Sequence, residues 1–427
     1  MTQKFKTPIV PITILAALFF IFGFATWLNG TLIPYLKIAC ELNTFQSTFV
    51  AFAFYISYFV MAIPSSWILK FTGFKKGMMV GLLVMAVGAL IFIPAANTRT
   101  YGLFLAGLFV IGTGLSLLQT ASNPYITIIG PIESAAKRIS IMGICNKVAG
   151  VLAPIILGAI ILSDADTLTK ELQGLDSAAR AIRLDEIAAR VINPYIIMAI
   201  ILTGLALMIR FSPLPEIEME QNGDDDQIPA EDRKSVFMYP NLVLGVIAIF
   251  LYVGVEVVAG DTLPLYGQSQ GIALSEARYF TSFTLAAMVI GYIIGIITIP
   301  KFISQSSALA ISAGAGIIFS LCAIFTNSYT SVLFIALLGL ANALMWPAIW
   351  PLAIHGIGKY TKIGSALLIM GIAGGAVFTV LWGRLSMIHA IGHQLAYWIM
   401  VPCYLFILYY SINGHRISSW KKIRTKN

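Results

Sequence analysis

Apolar runs long enough to cross roughly 30 Å of hydrocarbon recur from one end of the chain to the other. They fall near 9–36, 47–69, 77–96, 101–127, 138–162, 192–211, 241–266, 279–300, 306–326, 330–354, 363–383 and 395–413. Read as helices, they predict twelve transmembrane spans and an all-α integral membrane protein. Two longer polar segments interrupt the series. Segment 164–191 spaces Leu, Ile and Ala helically among charges, which predicts a short amphipathic helix on the outer surface. Segment 212–240 carries acids among Pro, Gly and Asn, and reads as a flexible cytoplasmic linker. The expected organisation is a six-helix half over 1–211, the linker over 212–240, a second six-helix half over 241–414 and a basic tail over 415–427.

Composition supports the membrane reading. Of 427 residues, 58% are hydrophobic and 11% charged, less than half the roughly 25% charge of a soluble domain. The basic start and apolar run at the N-terminus are read as a first retained helix, because no small-residue cleavage site follows. Eighteen of the 27 Lys and Arg lie in or beside segments on one side of the predicted topology, eight lie on the other, and Lys147 alone sits within a span. That bias places both termini in the cytoplasm. The basic residues flank apolar spans rather than forming a phosphate groove, so nucleic acid is not an expected partner. Cys40, Cys145, Cys322 and Cys403 are scattered without metal-ligand spacing, so neither a metal nor a cofactor is expected.

The two runs of six spans carry a repeat. At a shift of 231, Gly23 falls on Gly254, Thr31-Leu32 on Thr262-Leu263 and Lys70-Phe71 on Lys301-Phe302. Pro34 and Pro264 differ by 230, and Ile141–Ile144 matches Ile369–Ile372 at 228. Repeated halves put a binding site at their interface near the midplane, with access alternating as the halves rock. A secondary transporter is the class this implies.

Polar groups inside the spans locate the candidate chemistry. Glu256 and Asp261 are the two acids within an apolar span, in YVGVEVVAGDTLPLY; a charge there costs about 2.5–3.5 kcal/mol even on insertion scales, so it faces a cavity and acts. Glu256 stands roughly 22 Å along its helix from Asn241, past the middle, and Asp261 about 7.5 Å further. Both are candidates for proton coupling, with helix capping at the interface the alternative for Asp261. Lys147 lies about 14 Å from Arg138 along its helix. Two roles are open for it: snorkelling to the cytoplasm, or pairing with a cavity group such as Glu256. Asn29, Gln119, Asn123, Asn146 and Asn342 offer amide donors and acceptors that match sugar hydroxyls; helix–helix glue is their ordinary alternative. Gln119 and Asn123 share a helix face. Trp27, Trp346 and Trp350 suit the apolar face of a sugar or aromatic packing between helices.

The stretch LLQTASNPYITIIGP at 117–131, followed by ICNKVAG at 144–150, resembles the fucose:proton symporter family of the major facilitator superfamily, and within it the bacterial glucose/galactose transporter branch. WLNGTLIPYL at 27–36, the basic 70–76 loop and YVGVEV at 252–257 fit the same branch. The resemblance implies the major facilitator fold, with two pseudo-symmetric six-helix halves, in a bacterial inner membrane. It also implies Asn146 as a sugar contact. The family's coupling Asp in the first span and Glu in the fourth fall on Gly30 and Gln119, and neither titrates. Coupling must therefore use another group; Gly30 stands opposite Asp261 in the repeat, and Glu256 is the deeper acid.

These readings converge on a monomeric carrier taking up a hexose, glucose or galactose first, with a coupling ion that is a proton or sodium, proton first. Fucose and N-acetylhexosamines are the alternative substrates. A membrane-embedded glycosyl transferase would need a catalytic acid or metal cluster at a membrane face, and Glu133 and the acidic linker lack His or Asp partners at useful spacing. A sugar sensor or channel would keep the amide-lined cavity but would not give counterflow of labelled sugar.

Overall fold

The computed structural model describes residues 9–128, 135–214, 235–417 and 419–420. The N-terminal lysines, Glu133, most of the 212–240 linker and most of the basic tail lie outside the described residues. Eleven described helices are long and apolar enough to cross a membrane. One of them, Thr44–Asn97, has 54 residues, about 81 Å of helix, far more than a single crossing needs. It holds two crossings that meet at Gly73, where φ is 73° and ψ 177°. A side chain rarely adopts that conformation, and no neighbour crowds the position, so backbone freedom is the reason for glycine there. Twelve crossings result.

Several crossings are broken. The first runs Ile9–Trp27, pauses at Leu28, and resumes as Asn29–Ala39. The seventh does the same, with Pro240–Asp261, Thr262 and Leu263–Ser269. Pro240 opens its helix from the last position of the expected linker, since a first-turn proline gives up an N–H that has no helical partner anyway. The tenth crossing breaks between Ser328–Asn342 and Met345–Ile354.

The halves pack in the same way, as the repeat requires. A Cβ added at Gly23 would sit 1.8 Å from the carbonyl oxygen of Asn146, and one at Gly374 would sit 1.8 Å from that of Phe250. The first crossing thus presses on the fifth, and the seventh on the eleventh, backbone against backbone. Small residues allow such approach in a bilayer, where dispersion rather than hydrophobic exclusion drives association.

The expected single outer helix is two, Ala165–Gly174 and Ser177–Ala189. Leu175 is extended, and Asp176 caps the second helix by accepting from the Ala179 N–H at 2.8 Å. Tyr35 donates to the Ile187 carbonyl at 2.6 Å, and Leu184, Ile187 and Ala188 are buried, so the second helix is docked rather than floating. Arg190 bonds both oxygens of Asp164 at 2.5 and 2.7 Å, which holds that carboxyl below its usual range.

Candidate substrate and coupling site

The site lies where the first, fifth, seventh and eighth crossings meet. Lys147, on the fifth, extends its ammonium to 2.7 Å from Glu256 Oε1 on the seventh. It turns into the protein rather than toward the cytoplasm. Its side chain is 10% exposed and that of Glu256 8%, so the pair is shielded from water and joins one half of the molecule to the other. Trp27 stacks beneath it, with the ammonium 4.7 Å from the ring centroid. The indole itself is gripped by both halves, against Gly150 on one side and Gly260 on the other. Tyr55, Tyr252, Tyr292 and Tyr404 stand within electrostatic reach of Glu256.

Asp261 is fully buried, and neither carboxylate oxygen has a hydrogen-bond partner. It is the last residue of its helix, followed by Thr262, and makes no capping bond. Asn29 is equally buried, with its amide beside the Tyr55 hydroxyl. Gln119 donates to the Tyr58 hydroxyl at 3.3 Å, and Asn123 follows one turn later, half-buried. Asn342 accepts from the Tyr404 hydroxyl at 2.9 Å while its amide nitrogen stays free. Asn146 reaches the Phe19 carbonyl at 3.4 Å, a long bond within its own half. Trp346 and Trp350 lie 5.3 Å apart, half-buried, just after the break in the tenth crossing, with Tyr252 at 6.5 Å from Trp346.

Lys147, Glu256, Trp27, Asn29 and Asp261 are thus drawn together at the interface between halves. Gln119 and Asn123 belong to the first half, and Asn342, Trp346 and Trp350 to the second. Sequence reasoning missed the tyrosines. A phenol inside a span, such as Tyr55 and Tyr58 three residues apart on one helix, was the signal available, because a buried hydroxyl needs a partner.

The halves also meet at the end assigned to the outside. Arg278 donates to the carbonyls of Gly158, at 3.2 Å, and Leu162, and Asp166 accepts from the Ser275 N–H at 3.1 Å. Arg384 stacks over Phe45, 5.8 Å away. Among the described residues, no group of three or more His, Cys, Asp and Glu gathers to hold a metal.

A family model described as Major Facilitator Superfamily matches residues 15–380. The chain is 34% identical to a glucose/galactose transporter of Brucella abortus, over 95% of this chain and 94% of that one. It is 29% identical to an L-fucose-proton symporter of Escherichia coli, over 89% and 88%. A crystal structure of a Major Facilitator Superfamily transporter, FucP, in the outward conformation superposes with a TM-score of 0.74 at 27% identity, covering 95% of this chain and 99% of that one.

Proposed function

This chain belongs to the Major Facilitator Superfamily, and we propose that it is a secondary active carrier that takes up a hexose, glucose or galactose first, with a coupling cation. The relatives named above transport glucose and galactose or L-fucose with protons, which supports the substrate class and puts the proton first. The carrier sits in the bacterial inner membrane with both termini in the cytoplasm and works as a monomer.

The observation that carries the reading is the buried Lys147–Glu256 pair between the halves, at 2.7 Å. An ionised Glu256 holds Lys147 and so clamps the fifth crossing to the seventh. A proton on Glu256 ends that attraction, and the Trp27 ring then keeps the ammonium in place; a desolvated cation–π contact is worth up to about 2 kcal/mol. The clamp and the proton thereby exclude each other, and alternating access gains its ion dependence. Gln119, Asn123, Asn146, Asn29 and Asn342 supply hydroxyl-matching donors and acceptors, with Trp346 and Trp350 as an aromatic shelf.

The test is uptake of a sugar panel into proteoliposomes under separate proton and sodium gradients. Glu256→Gln, which cannot ionise, is expected to keep counterflow and lose proton-driven accumulation. Full accumulation by that variant would remove Glu256 from coupling. No counterflow with any hexose would remove the carrier reading itself.

A further inference from the structure

The third and sixth crossings pack on one another over much of their length, and a basic pocket closes one end of the groove between them. Toward the other end the Phe92 and Tyr195 rings stack with centroids 3.7 Å apart. About 25 Å away along the third crossing, Lys75 donates to the Ser212 carbonyl at 2.8 Å. There, at the end the charge bias assigns to the cytoplasm, Lys75, Lys76, Met79 and Arg210 line the pocket. Three of the four are cations and none is an acid. Only part of this charge serves the fold. Lys75 closes the carbonyl end of the sixth crossing, Ile192–Phe211, where a helix dipole is negative. Lys76 and Arg210 are exposed. At a shift of 231, Lys75 and Lys76 fall on Ser306 and Ser307. There the helix Gln305–Phe325 is opened by Ser304, which accepts from the Ser307 N–H at 3.1 Å. The second half thus begins the same turn without a cation. The flanks of the pocket are apolar and face outward. Leu83 and Val87 continue the Lys76 face, and Leu207 and Ile200 the Arg210 face, each between 38% and 66% exposed.

We propose that this pocket binds the phosphate of an anionic phospholipid whose acyl chains lie along the groove between the third and sixth crossings. The guanidinium of Arg210 offers a planar fork that matches phosphate oxygens, and the two lysines add point charge. Basic pockets between membrane helices suit anionic head groups for this reason. A zwitterionic head group would bring its own ammonium up to three cations, so the pocket selects for net negative charge. The acids of this chain's own segment 215–234 are the competing occupant. Carboxylates alone would answer the charge but leave the apolar lane of Leu83, Val87, Ile200 and Leu207 uncovered. A lipid answers both. The site lies away from the Lys147–Glu256 pair and does not rest on the carrier reading.

The experiment is a melting curve of the purified full-length protein in neutral detergent. Dioleoyl phosphatidylglycerol, dioleoyl phosphatidylcholine or inorganic phosphate is titrated in. Phosphatidylglycerol is expected to raise the melting temperature saturably by a few degrees beyond phosphatidylcholine, since a ligand bound only by the folded state stabilises it. Lys76→Gln with Arg210→Gln is expected to weaken the apparent affinity roughly tenfold, the equivalent of about 1.4 kcal/mol. Lys301→Gln with Arg416→Gln removes the same charge from exposed positions outside the pocket and should leave the affinity unchanged. Where the first pair does not fold, Arg210→Lys decides: it keeps the charge, loses the fork, and should still bind more weakly. An equal rise with phosphatidylcholine overturns the site, and so does an affinity that neither Arg210→Lys nor the pocket pair lowers. Equal weakening by the control pair overturns it too, because the lipid then reads net charge alone. A rise that inorganic phosphate reproduces in full means a soluble anion is the ligand and overturns the lipid. A rise that emerges only after Glu216→Gln, Glu218→Gln and Glu220→Gln gives the pocket to the chain's own acids instead.

Discussion

At the scale of single residues, the buried charges carry the sharpest consequences. Removing one partner of a buried pair strands the other, at a cost of about 3–5 kcal/mol, while removing both is far milder. Lys147→Ala should therefore lower thermal stability more than Lys147→Met with Glu256→Met, and the exchange of Lys147→Glu with Glu256→Lys should recover part of the activity lost in each single variant. Melting curves and counterflow on these five variants check this; equal losses in single and double variants would mean the two charges are not coupled. Glycine is equally decisive where helices touch. Gly23→Ala drives a methyl group into the Asn146 carbonyl, so the first and fifth crossings must part, at about 1–3 kcal/mol for such overpacking. A fall in melting temperature is the expected readout, with Gly204→Ala, which meets no neighbour, as the control. Glu256 was legible as a candidate because an acid inside an apolar run has no cheap place to go. Lys147 was not, because a long side chain can reach either water or a partner, and the sequence does not say which way it turns.

At the scale of elements, breaks and caps do what regular helix cannot. The pauses at Leu28 and Thr262 lie within one turn of equivalence in the repeat, which matches Thr31 to Thr262, yet the runs containing them read as continuous spans; hydrophobicity reports length and not straightness. The outer segment was legible as helical but not as two helices, since the division depends on the Asp176 cap and the extended Leu175. Its anchor, Asp164 to Arg190, sets a pH dependence. A carboxyl held below its usual range contributes stability above the unfolded value, about 3.9, and loses it as pH falls through the folded value. Asp164→Asn should speed trypsin cleavage after Arg180 and Arg183 at neutral pH, and the two proteins should become alike in stability only once pH has fallen below the lowered folded value of Asp164. Across the halves, Arg278 closes the free carbonyl end of the fifth crossing. Arg278→Ala should loosen that seal, read as faster labelling of a cysteine placed at Gly158 by an impermeant thiol reagent.

At the scale of the whole molecule, two similar halves pack along whole helices, the fifth crossing on the eighth and the second on the eleventh, and the polar pair is set into that seam. The apolar runs, the charge bias and the repeat register were enough to anticipate twelve crossings, because a bilayer demands internally satisfied helices of fixed minimum length. The repeat extended this to a secondary transporter, and the family resemblance, carried by 117–131 and 144–150, to a sugar symporter. If the seam is what unites the halves, polypeptides 1–214 and 235–427 produced together should reassemble and support counterflow, and neither should do so alone. Reassembly of pieces that also carry Lys147→Ala should be poorer, since a bond across the seam is gone.

The sequence by itself determined what each segment must be: which stretches are long and apolar enough to enter the membrane, and which polar residues lie within them. Those are properties of composition and spacing, local along the chain. Only the tertiary structure decided partnership. Lys147 and Glu256 are 109 residues apart and meet at 2.7 Å, Trp27 is clasped between glycines of both halves, and Asp261 lies fully buried within electrostatic reach of Tyr55. Such pairings depend on how helices rotate and approach across the seam, and that is fixed by packing between the halves, which no pattern along a single span records.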